Sequence, residues 1–313
     1  MRYIRYQIAD QDAAYLGESV FYFRGDFIDT ISSSGLGIKL IPVANIPYLK
    51  APSLDSAYDR AHVGNVQRHL RDAGVLKLSL NFDDNDSHYL TNLIHGLHKW
   101  YGHGLPITHS AHRGWYWDIR PSKTGFQCPD HQARSETMNE FPWHTDCSYE
   151  ASPPRYFALQ VLHPDNCGGG TLSVLKVDNL LKLLSESTRA ALARKDYLIT
   201  VPPEFRKTDS KDESIIGSLL APDRESGNLA LRFREDIFTP LTGEAGIALE
   251  ELKSVLLGPQ AQAEVVHLTA EMMPRGSIII MDNRRWLHGR NEVKDPRRHL
   301  KRVRWDAKQF GLD

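Results

Sequence analysis

Phe141-Pro142-Trp143-His144-Thr145-Asp146-Cys147 decides how this chain is read. Aromatic residues set the tone of the run, which predicts a strand. Side chains two apart on a strand share a face, so His144 and Asp146 point the same way. A histidine and a carboxylate aimed side by side into one cavity can share a metal ion. The triplet alone proves little. With 14 histidines and 39 acidic residues in 313, chance supplies about two His-x-Asp/Glu triplets, and the sequence has two. The other, His163-Pro164-Asp165, runs into Asn166, Cys167 and Gly168 and reads as a surface turn.

A third ligand must come from elsewhere, and His288 is the best candidate. It follows Ser277-Ile278-Ile279-Ile280-Met281, a buried-strand pattern that runs into a turn at Asp282-Asn283. Two histidines and one carboxylate on one triangular face leave three coordination positions open, the arrangement of non-haem Fe(II) oxygenases. Beyond it, the run after Pro296 predicts a strand with Arg298, Leu300, Arg302 and Arg304 on one face and Arg297, His299, Lys301, Val303 and Trp305 on the other. Neither face is cleanly apolar. A face that lines an interior buries guanidinium groups, and a buried unpaired guanidinium costs several kcal/mol. It therefore calls for an anion, and its planar fork suits a carboxylate. A solvated edge strand is the alternative.

The rest of the chain fits a globular protein built mainly of β-structure. Its 38 basic and 39 acidic side chains nearly cancel, which argues against nucleic-acid binding through bulk charge. No apolar run reaches the length of a membrane span. Met1 to Arg24 has no apolar core of a secretion signal, and three cysteines suggest no disulfide framework, so a cytoplasmic location is expected. Helices are predicted over Ala57 to Asp72, Asp86 to Tyr101, Asn179 to Arg194 (with Asp178 as N-cap) and Glu244 to Leu257. Val75 to Leu80 reads as a strand after the first helix, and from Arg113 onward eight or nine short strand-like runs suggest a sandwich or jelly roll. A single domain over 1–313 is expected, with a mixed α/β part at 1–112 and a jelly-roll core at 113–313. Gly168-Gly169-Gly170 precedes a strand-like run, not a helix, so it reads as a tight turn.

With these pieces in order, the chain resembles the Fe(II)/2-oxoglutarate-dependent dioxygenases of the TauD/TfdA, clavaminate synthase-like type. The resemblance rests on Trp143-His144-Thr145-Asp146, Gly169-Gly170-Thr171, Met281 through Arg290, and Arg297 through Arg302. Thr171 follows His144 by 27 residues and Arg298 follows His288 by ten, spacings this family shows. The resemblance implies a double-stranded β-helix, a distorted jelly roll with outer helices. It implies Fe(II) on His144, Asp146 and His288, and 2-oxoglutarate held by Thr171 and Arg298, with Arg302 near its other end or near a substrate anion. The partners implied are O2 and a small-molecule substrate, hydroxylated, desaturated or cyclised with release of succinate and CO2. A carboxylate at position 146 disfavours halogenation, which in this family needs a small residue there. Residues 1–112 carry no family motif.

Several further residues deserve a reading. Trp117, Arg120 and Glu136 lie between the mixed part and the metal strand and are candidate substrate contacts, with core packing or surface ion pairing as the plainer alternatives. His95, His98, His103, His109 and His112 lack ligand spacing and read as polar decoration. A zinc site from Cys128, His131, Cys147 and Cys167 matches no common spacing. The polar segment 204–228 carries Ile215-Ile216 and Leu219-Leu220 and is a possible lid. Two rival functions share the same ligands: a jelly-roll binding protein without turnover, and a zinc hydrolase. The intact ligand set with Thr171 and Arg298 argues against the first, and the second leaves Thr171 and the arginine without a role.

Overall fold

In the computed structural model, residues 46–108, 114–124, 126, 131–206, 213–223 and 225–311 are described. The readings of Met1 to Arg24, His109, His112 and Cys128 fall outside them, as do residues 207–212 of the polar segment.

Val75–Leu80 forms the predicted strand. The helix before it, Arg60–Ala73, ends at Gly74, whose φ of 71° an L-residue adopts only at a cost. A Cβ at Gly74 would also lie 3.1 Å from Arg285 and from Trp286. The second helix, His88–Tyr101, starts where the Asp84 carboxylate accepts hydrogen bonds from the amides of His88 and Tyr89 at 2.9 Å. Both helices bury their apolar stripes, Val63, Val66 and Leu70 on one and Leu90, Leu93, Ile94 and Leu97 on the other. They pack with Ala158, Ile278, Ile280, Val303 and Trp305 of the major sheet.

That sheet has six strands in the spatial order Tyr48–Ala51, Val75–Leu80, Ser277–Asp282, Pro154–His163, His299–Ala307 and Tyr116–Ile119. The first pair is parallel and the other ladders are antiparallel. It draws strands from both sides of residue 112. A second sheet runs Val266–Leu268, Leu172–Lys176, Trp286–Arg290 and Phe141–His144. The two sheets meet across the site: Phe157 of the first lies with its ring 4.5 Å from that of His288 on the second. This is the distorted jelly roll with outer helices that was expected.

Fifteen strands are present among the described residues, against Val75–Leu80 and nine later runs expected. The missed ones, Tyr48–Ala51, Ser214–Gly217, Leu220–Asp223, Phe238–Pro240 and Trp286–Arg290, are three to five residues long, too short to show a period. The helix expected over Asn179 to Arg194 is two helices, Val177–Leu183 and Glu186–Leu192. Ser185 breaks it by capping the second, its hydroxyl accepting from the amide of Thr188 at 3.1 Å. Asp178 is not a cap; it lies in the first turn after Lys176. The segment expected to be a possible lid contains two paired strands, Ser214–Gly217 against Tyr197–Thr200 and Leu220–Asp223 against Asn228–Leu231. Leu219 and Leu220 are fully buried in the core beside Leu231 and Phe233, so they are packing residues.

Candidate metal centre

His144 ends its strand, and the strand ends because Thr145 turns away. The Thr145 amide donates to the carbonyl of Phe233 at 2.7 Å. Asp146 therefore sits in a turn, not on the strand that the sequence suggested. The expectation that it shares a cavity with His144 holds for a different reason. The turn passes through Cys147 at φ 53°, and it swings the Asp146 carboxylate under both imidazoles.

His144 and His288 are register partners in the antiparallel ladder of Phe141–His144 with Trp286–Arg290. Nε2 of each imidazole lies 3.7 Å from Oδ1 of Asp146. The three residues are the one His/Cys/Asp/Glu cluster with metal-ligand spacing among the described residues, and all three are buried. The Nδ1 of His144 donates to the carbonyl of Pro142 at 2.8 Å, which leaves Nε2 as a lone-pair donor facing the cluster. Burial, then the neighbouring His288, holds the His144 pKa well below its ordinary value, so the ring is the neutral form that a metal needs. Burial alone would raise the Asp146 pKa. Arg302 at 3.3 Å and Arg304 at 3.9 Å overcome it and keep the group well below the usual carboxylate range. Phe141 stacks on His144 at 3.8 Å and Phe157 backs His288, so both rings are held by packing. Two imidazole nitrogens and an ionised carboxylate oxygen on one buried face fit a divalent transition metal.

A second feature lies beside the cluster. Arg298 is buried, and its Nη1 has no hydrogen-bond partner. Burial, then repulsion from Arg290, lowers its pKa to about 9. Arg290 is itself lowered to about 10 by burial, with Arg134 adding to it, and among the described residues its guanidinium hydrogen-bonds only the carbonyls of Thr137 and Asn139. Two buried cations near one another, one with an orphaned donor, fit an anion with a carboxylate. Room for Arg298 is made by Gly170 at φ 64°, where a Cβ would sit 2.8 Å from the arginine Nε. The glycine run is thus the tight turn expected, tied by Asp165, whose carboxylate accepts from the amides of Cys167, Gly169, Lys294 and Asp295. Thr171 follows directly, its amide on Asn291 Oδ1 at 2.7 Å.

The strand His299–Ala307 divides as expected. Val303 and Trp305 face the helices, and Arg302 and Arg304 face the cluster. A cavity opens over the cluster, lined by Phe141, Ser148, Tyr149, Phe205, Arg134 and Arg234 among others. Trp117 stands behind it, with the Arg302 guanidinium 5.9 Å from its ring and Phe205 at 6.0 Å. Arg120 is exposed, one residue past the end of its strand, and does not line that cavity. Glu136 is buried, and its carboxylate accepts from the amide of Ala133 in its own turn at 3.2 Å. His103 is not surface decoration. It is buried, stacks on Tyr156 at 4.7 Å, and accepts from Trp305 Nε1 at 3.2 Å.

Sequence reasoning missed Arg304 and Arg290 as parts of the site. For Arg304 the signal was present, since it shares the strand parity of Arg302. For Arg290 nothing local marks it, because its partners are backbone carbonyls more than 150 residues away in sequence.

The comparisons agree with this geometry. The chain is similar to the L-asparagine oxygenase of Streptomyces coelicolor, 31% identical over 172 residues, which are 54% of this chain and 47% of that protein. The match thus spans about half of the curated relative's length. Among solved structures, an asparagine oxygenase in complex with Fe(II), 2S,3S-3-hydroxyasparagine and succinate has a TM-score of 0.59 at 22% identity, covering 80% of this chain and 82% of that one. The non-heme iron oxygenase OrfP in complex with Fe and alpha-ketoglutaric acid has a TM-score of 0.60 at 17% identity, covering 83% and 93%. At these identities the likeness establishes the fold. The profile described as taurine catabolism dioxygenase TauD, TfdA family matches residues 53–304, and the chain belongs to that family.

Proposed function

We propose that the protein is a non-haem Fe(II)- and 2-oxoglutarate-dependent oxygenase that oxidises a C–H bond of a small amino acid. The carrying observation is the convergence of His144, Asp146 and His288 beside a buried, unsatisfied Arg298. In this reading His144 and His288 bind Fe(II) through Nε2 and Asp146 through Oδ1. Arg298, with Thr171 next in the chain to the Gly170 that makes room for it, holds the distal carboxylate of 2-oxoglutarate. Bound together, the metal and the keto acid couple reduction of O2 and release of succinate and CO2 to oxidation of the substrate.

The chain's own residues do the rest. Arg302 and Arg304 keep Asp146 ionised and fixed. Arg302, 3.3 Å from that carboxylate, would also have charge to offer an anionic end of the substrate. Phe141, Tyr149 and Phe205 wall the cavity and keep water from the reacting bond. At the mouth, Glu204 and Arg234 pair at 3.7 Å and Arg134 and Asp236 at 3.7 Å, groups of both signs that suit a zwitterion. That, together with a relative named for L-asparagine and an OrfP structure solved in complex with (3S)-hydroxy-L-Arg, favours a free amino acid over a larger substrate.

The test is anaerobic addition of Fe(II) and 2-oxoglutarate, followed by a screen of L-amino acids for stimulated O2 consumption with stoichiometric succinate. A visible charge-transfer band and one stimulating amino acid are expected. No band, or a band with no succinate under any substrate, refutes the reading in favour of a binding protein.

A further inference from the structure

We propose that Asn283 is the positioning residue of the metal centre, fixing the backbone of Asp146 so that its carboxylate meets His288. The inference rests on the metal reading above and adds a residue that does not touch the metal.

The need for such a residue follows from where the strand stops. Ladder pairing ends at His144, so the buried peptide groups of Asp146 have no strand partner. Buried backbone donors and acceptors must be satisfied. Asn283 satisfies both. Its Oδ1 accepts from the Asp146 amide at 2.7 Å, and its Nδ2 donates to the Asp146 carbonyl at 2.8 Å. The second Nδ2 hydrogen goes to the carbonyl of Pro154 at 3.0 Å. The side chain is 2% exposed, so water does not compete for these bonds.

Asn283 is itself tightly held: its amide donates to the carbonyl of Arg155 at 2.6 Å. It sits in the turn between Ser277–Asp282 and Trp286–Arg290, five residues before His288. One turn therefore locates two ligands, His288 through the chain and Asp146 through the carboxamide. The conformation at the next residue shows that the turn needs holding. Cys147 is at φ 53°, a left-handed value that a non-glycine residue adopts at a cost and that persists only where neighbours enforce it. Without the clamp, the turn can relax there and carry the carboxylate away from the two imidazoles.

The experiment titrates the full chain with Co(II), following the visible absorption, and measures 2-oxoglutarate affinity of the metal-saturated protein separately. Asn283→Ala should raise the Co(II) Kd by about 10- to 100-fold, as loss of partners that orient a ligand does. The 2-oxoglutarate affinity at saturating metal should be unchanged, because Arg298 and Gly170 do not contact the clamp. A general loosening of the fold would weaken both. Asn283→Asp keeps the volume and the acceptor toward the Asp146 amide but turns an acceptor oxygen onto the carbonyls of Asp146 and Pro154, so its Co(II) Kd should rise at least as far. If Asn283→Ala does not fold, Asn283→Asp carries the test. A Co(II) Kd equal to the parent's in a folded variant, or equal losses in both affinities, overturns the proposal. If the parent itself binds no Co(II), the oxygenase reading fails and the inference with it; if only the variant comparison fails, the oxygenase reading stands.

Discussion

His144 and His288 face one another as register partners across an antiparallel ladder, with ring centroids 4.1 Å apart. Cross-strand neighbours are held by the sheet itself, so two of the three proposed ligands need no loop to bring them together. Asp146, the third, is delivered by a turn. His144→Ala, Asp146→Ala and His288→Ala should each abolish stoichiometric Fe(II) binding while circular dichroism stays native. His163→Ala, in the competing triplet, should bind metal like the parent, because His163 pairs with Asp295 at 3.6 Å away from the cluster. Metal analysis after desalting decides this. Equal loss in His163→Ala would mean that the wrong triplet was chosen.

Arg298→Lys should raise the 2-oxoglutarate KM by at least about tenfold, since a point charge replaces a two-pronged donor in a buried site. Thr171→Val should raise it less, by the worth of one hydrogen bond to a charged group, about 1.5–3 kcal/mol at most. An unchanged KM in Arg298→Lys would move the anchor to Arg302 or Arg290.

Gly170 offers an independent test of the same anchor. A methyl group there meets Arg298 Nε at 2.8 Å and forces a left-handed residue to carry a Cβ. Gly170→Ala should cost about 1–2 kcal/mol in stability and weaken 2-oxoglutarate binding together. Stability loss with unchanged 2-oxoglutarate affinity would show that the turn does not set the arginine's position.

How much of this was legible in the sequence depended on how local each signal is. The strand Val75–Leu80 and the helix His88–Tyr101 were readable because their apolar residues recur at one period and a glycine or a capping acid marks their ends. The strand Trp286–Arg290, which carries His288, was not. All five of its residues are buried, so no alternation exists to read. His144 and Asp146 were found through a strand argument that applies only to the first of them. Asn283 was invisible as a clamp, because its partners lie 129 and 137 residues away. His103 was misread for the same reason: what buries it is Tyr156 and Trp305, brought in by the sheet.

That buried histidine makes stability depend on pH. Burial, partly opposed by Asp306, lowers the His103 pKa to about 4 from 6.5. Below 6.5 the unfolded chain takes up a proton that the folded chain refuses. The contribution is thus complete above about pH 6.5 and is lost progressively as pH falls toward 4, at up to roughly 1.4 kcal/mol per pH unit. Thermal melts between pH 4.5 and 7.5 should show a smaller acid slope for His103→Gln than for the parent. Parallel slopes would place the acid sensitivity elsewhere.

The polar segment after Pro203 yields the last prediction. Its sequence places two apolar pairs in one charged stretch and suggests that both close over the site. The structure separates them. Leu219 is fully buried in the core, whereas Ile216 is 63% exposed on Ser214–Gly217, which pairs on one side only, with Tyr197–Thr200. Leu219→Ala should therefore destabilise by about 2–5 kcal/mol, and Ile216→Ser should change stability by less than about 0.5 kcal/mol. Neither should alter the ratio of succinate formed to substrate oxidised. The residue that should alter it is Phe205, at the start of the segment. Its ring stacks on Tyr149 at 5.2 Å and lines the cavity beside Asp146. Phe205→Ala removes that wall and admits water, so more 2-oxoglutarate should be consumed per substrate oxidised while Tm changes little. If instead Ile216→Ser uncouples turnover and Phe205→Ala does not, the exposed strand closes over the site in the working enzyme, and the cover is the one the sequence first suggested.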